Sequence, residues 1–260
     1  MDILDKIVLR KRDEIALAKQ QASVKDLEAT ANFSRTPYIF KDFLLAENRT
    51  GIIAEFKRKS PSKGVINGTA DVETVTNAYN LAGASALSVL TDTDFFGGSA
   101  DDLFQARAAN QIPVLRKDFM IDEYQILEAK AWGADIILLI ASILSPQEIN
   151  SFGKLAQSLG LNVLLEVHNL EELEKSISPH LNAIGVNNRN LGDFTVDIQT
   201  SFELADQIPS EFLKISESAI DNPKIINELK SVGYQGFLIG ENFMKTEDPG
   251  LAMKKFVSLL

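Results

Sequence analysis

The sequence contains no cysteine and only two histidines, His168 and His180. Without cysteine the chain can form no disulfide and no thiolate nucleophile, which is typical of a reducing compartment, so we expect a cytoplasmic location. The histidines belong to no cluster with the spacing of metal ligands. Metal binding is therefore poorly supported, and glycine-rich signatures of dinucleotide or triphosphate binding are also missing. We expect His180 at the surface and His168 in a loop, with a place at the rim of the site as the alternative, because His168 lies one alternation beyond Glu166.

Long apolar segments are absent as well. The longest run extends from Ile136 to Ile143, is interrupted by Ser142 and is far too short to cross a bilayer. The first residues are charged and amphipathic, unlike a signal peptide. Positive charge is in deficit, since 26 Lys and Arg face 36 Asp and Glu, and the net charge of -10 argues against nucleic-acid or membrane partners. An anionic ligand would therefore need a local cluster of cations.

One such cluster lies in the stretch AEFKRKSPSKG, residues 54–64. The stretch closes an apolar run with Glu55 and then places Lys57, Arg58, Lys59 and Lys63 close together. So much positive charge beside one carboxylate, in an acidic chain, indicates a site for an anion.

From residue 51 onward, short apolar runs alternate with amphipathic stretches. The runs are nearly continuous and rich in leucine or β-branched residues, as in strands buried on both faces. Their spacing of roughly 20–35 residues is typical of β/α repeats. Eight such units predict an α/β fold, a (β/α)8 TIM barrel, within a single domain that spans residues 1–260. The predicted strands are 51–56, 86–91, 113–117, 135–140, 162–167, 183–187, 212–217 and 236–240.

Residues 1–50 do not follow this repeat. Apolar residues at helical spacing predict one helix marked by Leu4, Ile7 and Ile15, which carries the basic run 10–12, and another marked by Phe40 and Phe43. The simpler interpretation is a helical extension packed on the barrel of residues 51–260. The alternative is that the extension covers one barrel mouth and shapes the site.

Most of the predicted strands end in a charged or amide residue. In barrels of this type the chemistry lies at the carboxyl ends of the strands. A lone charge at a strand end is usually only solvated, but several charges at one mouth perturb each other's pKa values, as acid–base catalysis requires. The side chains expected to point inward are Glu55, Lys57, Lys117, Glu166 and Glu217.

The loops after the seventh and eighth strands, residues 217–219 and 240–242, are candidates for phosphate binding through backbone N–H groups. Gly240 would let the backbone approach an anion closely. The side chain of Glu241 would repel phosphate if it pointed inward, so we expect only its N–H group to contribute.

Seven stretches at the strand ends, taken in order, closely resemble the indole-3-glycerol phosphate synthases of tryptophan biosynthesis. The resemblance covers about the whole chain, including the helical extension. The stretches are AEFKRKSPSKG, LSVLTDTDFFGGS, LRKDFMIDEYQI, LLEVH, VNNRNL, ISESAI and FLIGENFM.

This resemblance implies a reaction. The substrate would be 1-(2-carboxyphenylamino)-1-deoxyribulose 5-phosphate, a conjugate of a phosphosugar and anthranilate. Ring closure followed by loss of carbon dioxide and water would give indole-3-glycerol phosphate, without a cofactor or metal. Because the substrate carries a phosphate and a carboxylate, the basic stretch after residue 54 would hold these anions. We expect a monomer or weak homo-oligomer.

Catalytic roles carry over from the family by position. Lys117 resembles the general acid that protonates the ribulose carbonyl, and Glu166 would stabilise the iminium intermediate and assist dehydration. Lys57 would pair with the substrate carboxylate, with a second role as an acid left open. Glu55 would orient the lysines and take part in proton removal, and Glu217 belongs to the same catalytic set. Which of these groups handles each late proton transfer stays open.

The remaining residues carried over from the family are substrate contacts. Asn187 and Ser218 complete the catalytic set, Asn187 resembling the residue that holds the sugar hydroxyls and Arg189 its cationic neighbour. Phe96 and Phe119 would sandwich the aromatic ring, or serve equally well as ordinary packing at the rim. The expected phosphate and anion contacts are Lys59, Ser60, Ser218, Ala219, Gly240 and Glu241.

Ala219 departs from the family pattern Ser-Glu-Ser-Gly-Ile. If the backbone there is left-handed, alanine costs roughly 1 kcal/mol relative to glycine. If glycine serves only for close approach, the extra methyl group would loosen phosphate binding slightly.

Two other functions stay open on the residues alone. One is a different phosphosugar barrel, an isomerase or a Schiff-base aldolase with Lys117 as nucleophile. The other is a non-catalytic barrel that binds a phosphometabolite. The combination of Glu55, Lys57, Lys117 and Glu166 favours catalysis, since a binding protein needs cations but no set of proton donors and acceptors.

Overall fold

The computed structural model describes residues 3–190, 192 and 194–260. Leu191, the last residue of VNNRNL, lies outside the described residues. The strands of the described part are β1 (Ile52–Phe56), β2 (Lys59–Ser60), β3 (Gly64–Val65), β4 (Ala86–Leu90), β5 (Val114–Lys117), β6 (Ile136–Ile140), β7 (Asn162–Val167), β8 (Ala183–Asn187), β9 (Leu213–Glu217) and β10 (Gly236–Ile239).

Eight of these strands form a closed barrel, in which β1 pairs with both β4 and β10. All eight run parallel, and the predicted (β/α)8 TIM barrel is therefore confirmed. The predicted strand bounds agree with the structure to within one residue at each end. β2 and β3 form a short antiparallel pair after β1, which the sequence pattern does not indicate.

Helices separate the barrel strands and cover the outside of the sheet. Among the described residues no helix combines the length and apolar character that a membrane span requires. The helices are α1 (Ile3–Gln21), α2 (Val24–Glu28), α3 (Phe40–Leu44), α4 (Val72–Leu81), α5 (Ala100–Ala109), α6 (Glu123–Trp132), α7 (Pro146–Ser158), α8 (Leu170–Ser176), α9 (Gln199–Leu204), α10 (Pro223–Ser231), α11 (Glu241–Met244) and α12 (Pro249–Val257).

Local sequence accounts for the ends of α6, the helix that follows β5. Asp122 caps its first turn by accepting a hydrogen bond from the N–H of Tyr124, and Gln125 reaches back to complete a capping box. The helix ends at Gly133, whose φ of 93° lies in the left-handed region that glycine adopts without a steric penalty. The loop between Lys117 and the helix is therefore short and fixed.

Alternate residues of the barrel strands face the interior. Lower in the barrel these positions carry apolar side chains such as Ile53, Leu115 and Leu164, which belong to one buried cluster. At the carboxyl ends the same inward positions carry charged side chains, such as that of Lys117. This residue pairs in register with Leu90, the last residue of β4. The period of two therefore sends the polar strand ends into the barrel mouth.

The N-terminal helices reach both ends of the barrel. The backbone N–H of Phe40 in α3 donates to the side-chain oxygen of Asn162 (3.2 Å), the first residue of β7, and Phe40 packs into the interior cluster. At the opposite end, Ile3, Leu4 and Ile7 of α1 line the cavity that contains the charged strand ends. The simpler interpretation of the extension is thus incomplete, because α1 also forms a wall of the site.

Candidate active site

A cavity opens at the carboxyl ends of the barrel strands. Charged groups come from β1, β5, β7 and β9 and from the segments that follow β1, β5, β8 and β10, and α1 supplies apolar groups. All the side chains predicted to point inward line this cavity: Glu55, Lys57, Lys117, Glu166 and Glu217. We name it the substrate cavity.

Lys117 lies at the centre of the charged group. Its Nζ is 2.8 Å from Oε2 of Glu166 and 2.6 Å from Oε2 of Glu217, and its side chain is 14% exposed. Burial lowers the pKa of Lys117, but the carboxylates of Glu166, Glu217 and Glu55 outweigh burial and raise it above its ordinary value. The side chain is therefore a charged ammonium group held by two carboxylates.

These two carboxylates differ in their pKa. Burial raises the pKa of Glu166, but the ammonium of Lys117 and the imidazole of His168 outweigh burial and lower it below its ordinary value. At Glu217 burial, together with repulsion from Glu166 and Glu55, outweighs attraction to Lys117 and raises the pKa. Glu166 is thus the carboxylate that stays ionised, whereas Glu217 is the one that takes up a proton more readily.

Glu55 and Lys57 form a second pair across the cavity, with Nζ of Lys57 2.6 Å from Oε1 of Glu55. Two glycines leave room for the carboxylates: a Cβ atom on Gly240 would lie 2.5 Å from Oε1 of Glu55, and one on Gly185 would lie 2.3 Å from Oε1 of Glu217. Glycine is therefore needed at position 240 to leave room for the side chain of Glu55, a reason that the sequence does not indicate. Gly185 is missed altogether, although its inward position in β8 is a readable signal.

Asn187 links Glu166 to the loop after β9. Its Nδ2 donates to Oε1 of Glu166 (3.1 Å), while its Oδ1 accepts from Oγ of Ser218 (2.9 Å) and from the N–H of Arg189 (3.0 Å). These contacts fix the orientation of the amide and so help to hold Glu166 in place.

A second concavity adjoins the substrate cavity beside the loops after β9 and β10. It is lined by Ala219, Gly240 and Glu241, and shares Ser218 and Arg189 with the substrate cavity. The structure thus brings most of the predicted phosphate contacts together at one place.

Ser218 and Ala219 both adopt left-handed backbone conformations, with φ of 66° and 60°. The first alternative for Ala219 therefore applies, and its methyl group strains the backbone by about 1 kcal/mol. We expect Ala219→Gly to raise the melting temperature by a few degrees and to lower the Michaelis constant, because the relaxed loop holds phosphate better. Thermal unfolding and steady-state kinetics measure the two effects.

Ala108→Gly is a matched control for this substitution, because Ala108 is exposed in the ordinary helix α5. Glycine there should lower stability by up to about 1 kcal/mol and leave the Michaelis constant unchanged. Equal Michaelis constants for the wild type and Ala219→Gly would remove the idea that Ala219 weakens binding.

Of the basic residues in the stretch 54–64, only Lys57 lines either of these cavities. Arg58 forms a two-pronged ion pair with Asp102 (2.7 and 2.8 Å), and Nζ of Lys59 donates to a backbone carbonyl (2.5 Å). Lys63 lies 3.7 Å from Glu241. Most of this positive charge is thus held by the protein's own groups, and the predicted anion role narrows to Lys57.

The other predicted substrate contacts lie at the rim. Ser60 and Arg189 line the substrate cavity, and Nη2 of Arg189 is 3.4 Å from Oε2 of Glu241. The rings of Phe96 and Phe119 also line it, with centroids 5.8 Å apart. At this separation the rings contact each other and form one apolar wall, so the packing interpretation describes this structure and a slot for a third ring does not.

His168 lies in the loop directly after β7, where its ring contacts two carboxylates. Its Nε2 is 3.4 Å from Oε1 of Glu166, its Nδ1 is 3.1 Å from Oε2 of Glu172, and its side chain is 11% exposed. Burial lowers the pKa of His168, but hydrogen bonding and attraction to the two carboxylates raise it to about 10. The alternation of Glu166 and His168 along one strand face was the available signal. His180 is half-buried and pairs with Gln157 (2.8 Å).

Lys11 of α1 is a second residue that sequence reasoning misses. It is 3% exposed, and its Nζ lies 2.9 Å from Oδ2 of Asp92 and 3.0 Å from Oδ1 of Asp118. Lys11 falls at helical spacing between the buried Ile7 and Ile15, which marks it as a residue of the buried face. The ion pairs tie α1 to the residue that directly follows Lys117.

Comparison with known proteins gives a consistent result. A family model described as indole-3-glycerol phosphate synthase matches residues 4–256. The indole-3-glycerol phosphate synthase of Bacteroides thetaiotaomicron is 46% identical over 259 residues, which cover 100% of this chain and 99% of that protein. That of Bordetella pertussis is 41% identical over 260 residues and 99% of each chain.

Solved structures with low sequence identity share the barrel. A chain from the tryptophan synthase α2β2 complex of Pyrococcus furiosus has a TM-score of 0.60 and 15% identity, covering 81% of this chain and 97% of that one. N-acetylmannosamine-6-phosphate 2-epimerase from Clostridium perfringens has a TM-score of 0.57 and 14% identity, covering 80% and 93%. At these identities the likeness concerns the fold alone.

Proposed function

The chain belongs to the indole-3-glycerol phosphate synthase family, and from this premise we propose that the substrate cavity is its active site, with Lys117 as the general acid. The family activity is that of a decarboxylating carbon–carbon lyase of tryptophan biosynthesis. The enzyme acts on a small molecule, which we propose to be 1-(2-carboxyphenylamino)-1-deoxyribulose 5-phosphate.

The two anionic groups of this substrate match two parts of the site. We assign its carboxylate to Lys57, which lines the substrate cavity beside Glu55. Its phosphate fits the adjoining concavity, where Arg189 and the loop at Ser218 meet the start of α11. The aromatic ring then rests on the apolar wall formed by Phe96 and Phe119. This placement explains how an acidic protein binds a doubly anionic ligand.

Ring closure begins when the ring carbon that bears the carboxylate attacks the ribulose carbonyl. Lys117 donates a proton to the carbonyl oxygen as the new carbon–carbon bond forms, and the ring nitrogen becomes a cationic iminium. The ionised carboxylate of Glu166 stabilises this cation. Its own contacts to Lys117 and Asn187 hold it in place before the charge develops.

Aromaticity returns in two further steps. Carbon dioxide leaves, and the electron pair of the broken bond neutralises the iminium. The hydroxyl group then leaves as water after receiving a second proton, and a proton is lost from the carbon next to nitrogen. The pair of Glu55 and Lys57 and the carboxyl of Glu217 are the groups in the cavity that can exchange these late protons.

The raised pKa of Lys117 favours an acid over a Schiff-base nucleophile. An amine nucleophile must lose its proton, and enzymes that use one lower the pKa of the lysine by burial or by a neighbouring cation. Here Glu166 and Glu217 raise the pKa of Lys117 instead. The aldolase alternative therefore lacks the electrostatics that it needs.

The observation that carries the proposal is the contact of one buried ammonium, Lys117, with two carboxylates at the barrel mouth. Purified protein mixed with the carboxyphenylamino substrate should produce indole fluorescence and one equivalent of carbon dioxide. A heat-denatured sample serves as the control. Absence of an indole product, or a borohydride-trapped adduct on Lys117, would overturn the assignment.

Two further properties follow from the same premise as proposals. The cysteine-free composition leads us to propose the cytoplasm as the place of action. We propose a monomer or weak homo-oligomer as the working form. Light scattering at assay concentrations tests the second proposal.

A further inference from the structure

The two oxygen atoms of the Glu166 carboxylate face different groups. Its Oε2 lies 2.8 Å from Nζ of Lys117, and its Oε1 faces Nε2 of His168 at 3.4 Å. Glu166 therefore lies between the ammonium of the substrate cavity and an imidazole that the proposed reaction steps do not use.

His168 is held on its far side by Glu172. Oε2 of Glu172 accepts a hydrogen bond from the backbone N–H of His168 (2.8 Å) and lies 3.1 Å from its Nδ1. Nε2 is buried, and among the described residues the long contact with Oε1 of Glu166 is the only polar partner that the structure gives it. The charged groups that act on the ring are Glu166 on the barrel side and Glu172 on α8, and these carboxylates are in turn attracted by Lys117 and Lys175.

His168 and Glu172 also line a polar cavity that adjoins the substrate cavity and shares Leu4 and Asn187 with it. Asn169 and Asn188 line it as well, whereas Glu166 and Lys117 do not. The side chain of Glu172 is 12% exposed, compared with 4% for Glu166. Exposure thus increases from Glu166 through His168 to Glu172, towards the polar cavity.

The chemistry requires a proton from solvent in every cycle. One proton goes to the carbonyl oxygen and one to the departing hydroxyl group, and one returns when the C–H bond next to nitrogen breaks. The substrate enters as a carboxylate and leaves as neutral carbon dioxide, so the balance is one proton taken up. While ligand fills the substrate cavity, water cannot readily deliver that proton to Lys117.

We propose that Glu172, His168 and Glu166 relay this proton from the polar cavity to Lys117. Nε2 of His168 passes a proton to Oε1 of Glu166, and rotation of the carboxyl group, which breaks the contact of Oε1 with Nδ2 of Asn187 (3.1 Å), then presents the proton to the amine of Lys117. The neutral imidazole regains a proton from water in the polar cavity, and the carboxylate of Glu172 stabilises the imidazolium. Only N–H and O–H bonds change. The relay rests on the proposed role of Lys117 as the acid.

His168→Gln tests the relay because glutamine is polar but cannot carry the proton onward. The first turnover uses protons already on the enzyme, so the single-turnover rate with enzyme in excess should stay within about threefold of the wild type. The steady-state rate should fall about tenfold or more, with a larger deficit as the pH rises. Added imidazole buffer should restore part of the steady-state rate.

Two variants complete the test. His180→Gln makes the same change at the other histidine, which pairs with Gln157 outside the relay, and should alter neither rate. Glu172→Gln removes the outer end of the relay and should reproduce the steady-state deficit, which keeps the test available if His168→Gln does not fold.

Unchanged steady-state rates in both relay variants would overturn the proposal. So would an equal loss in single-turnover and steady-state rates, since His168 would then only orient Glu166. Failure of the proposed function looks different, because wild-type protein would then form no indole product at all.

Discussion

Lys117→Met is expected to lower the turnover number by at least about a thousandfold, within the range that a positioned general acid contributes. Methionine fills a similar volume but has no proton to give, so the carbonyl oxygen would carry its developing negative charge unprotonated. Substrate affinity should change far less, because Lys57 and Arg189 are the groups assigned to the anionic ends. Steady-state kinetics with the indole fluorescence assay separates the two effects.

The same substitution has a consequence for stability. It leaves Glu166 and Glu217 buried without the ammonium that lies 2.8 and 2.6 Å from them. An unpaired buried charge costs roughly 3–5 kcal/mol, unless one carboxyl takes up a proton. Glu217 is the group expected to do so, because burial already raises its pKa.

The pH dependence of this variant's stability follows from the direction in which the pKa of Glu217 is shifted. A carboxyl with a pKa raised in the folded state binds its proton more tightly than in the unfolded chain, so it stabilises the fold at acid pH. This stabilisation is lost as the pH rises through the raised pKa. Denaturant unfolding of Lys117→Met should therefore show decreasing stability, relative to the wild type, from acid to neutral pH.

A double variant, Lys117→Met with Glu217→Gln, distinguishes lost chemistry from lost folding. It removes one carboxylate together with the ammonium, so its stability should recover while its activity stays absent. Substantial turnover in either variant would refute the assignment of Lys117 as the acid.

Glu166→Gln should reduce turnover by roughly a hundredfold to a thousandfold while the Michaelis constant changes only a few-fold. Glutamine keeps the size of the side chain and a carbonyl oxygen that accepts from Lys117, but it removes the negative charge. That charge matters most when the ring nitrogen is cationic, so its loss raises the barrier more than it weakens binding. Steady-state kinetics at neutral pH measures the split.

Glu174→Gln is the matched control, because Glu174 is an exposed carboxylate on α8 and loses the same single charge. Its turnover and Michaelis constant should equal those of the wild type. A raised Michaelis constant with unchanged turnover in Glu166→Gln would instead make Glu166 a binding residue.

The strands and their polar ends are readable from the sequence because parallel strands buried on both faces have a continuous apolar signature. The inward direction of Glu55 and Lys57 follows from the period of two, and closure of eight strands brings distant ends such as Lys117 and Glu217 to one mouth. The helical period likewise predicts α1 around Ile7 and Ile15. These features depend on neighbours along the chain, and so the sequence by itself determined them.

Only the tertiary structure decided which charges are paired. Arg58 and Lys59 look like ligand-binding cations in the sequence. In the fold Arg58 pairs with Asp102, and Lys59 donates to a backbone carbonyl. Lys11 looks like a surface residue in the sequence and His168 like an ordinary loop residue. In the fold Lys11 is buried, the side chain of His168 is 11% exposed, and both lie against carboxylates. The physical reason is that burying a charge is favourable only beside a compensating partner, and that partner lies on a segment which local pattern does not identify.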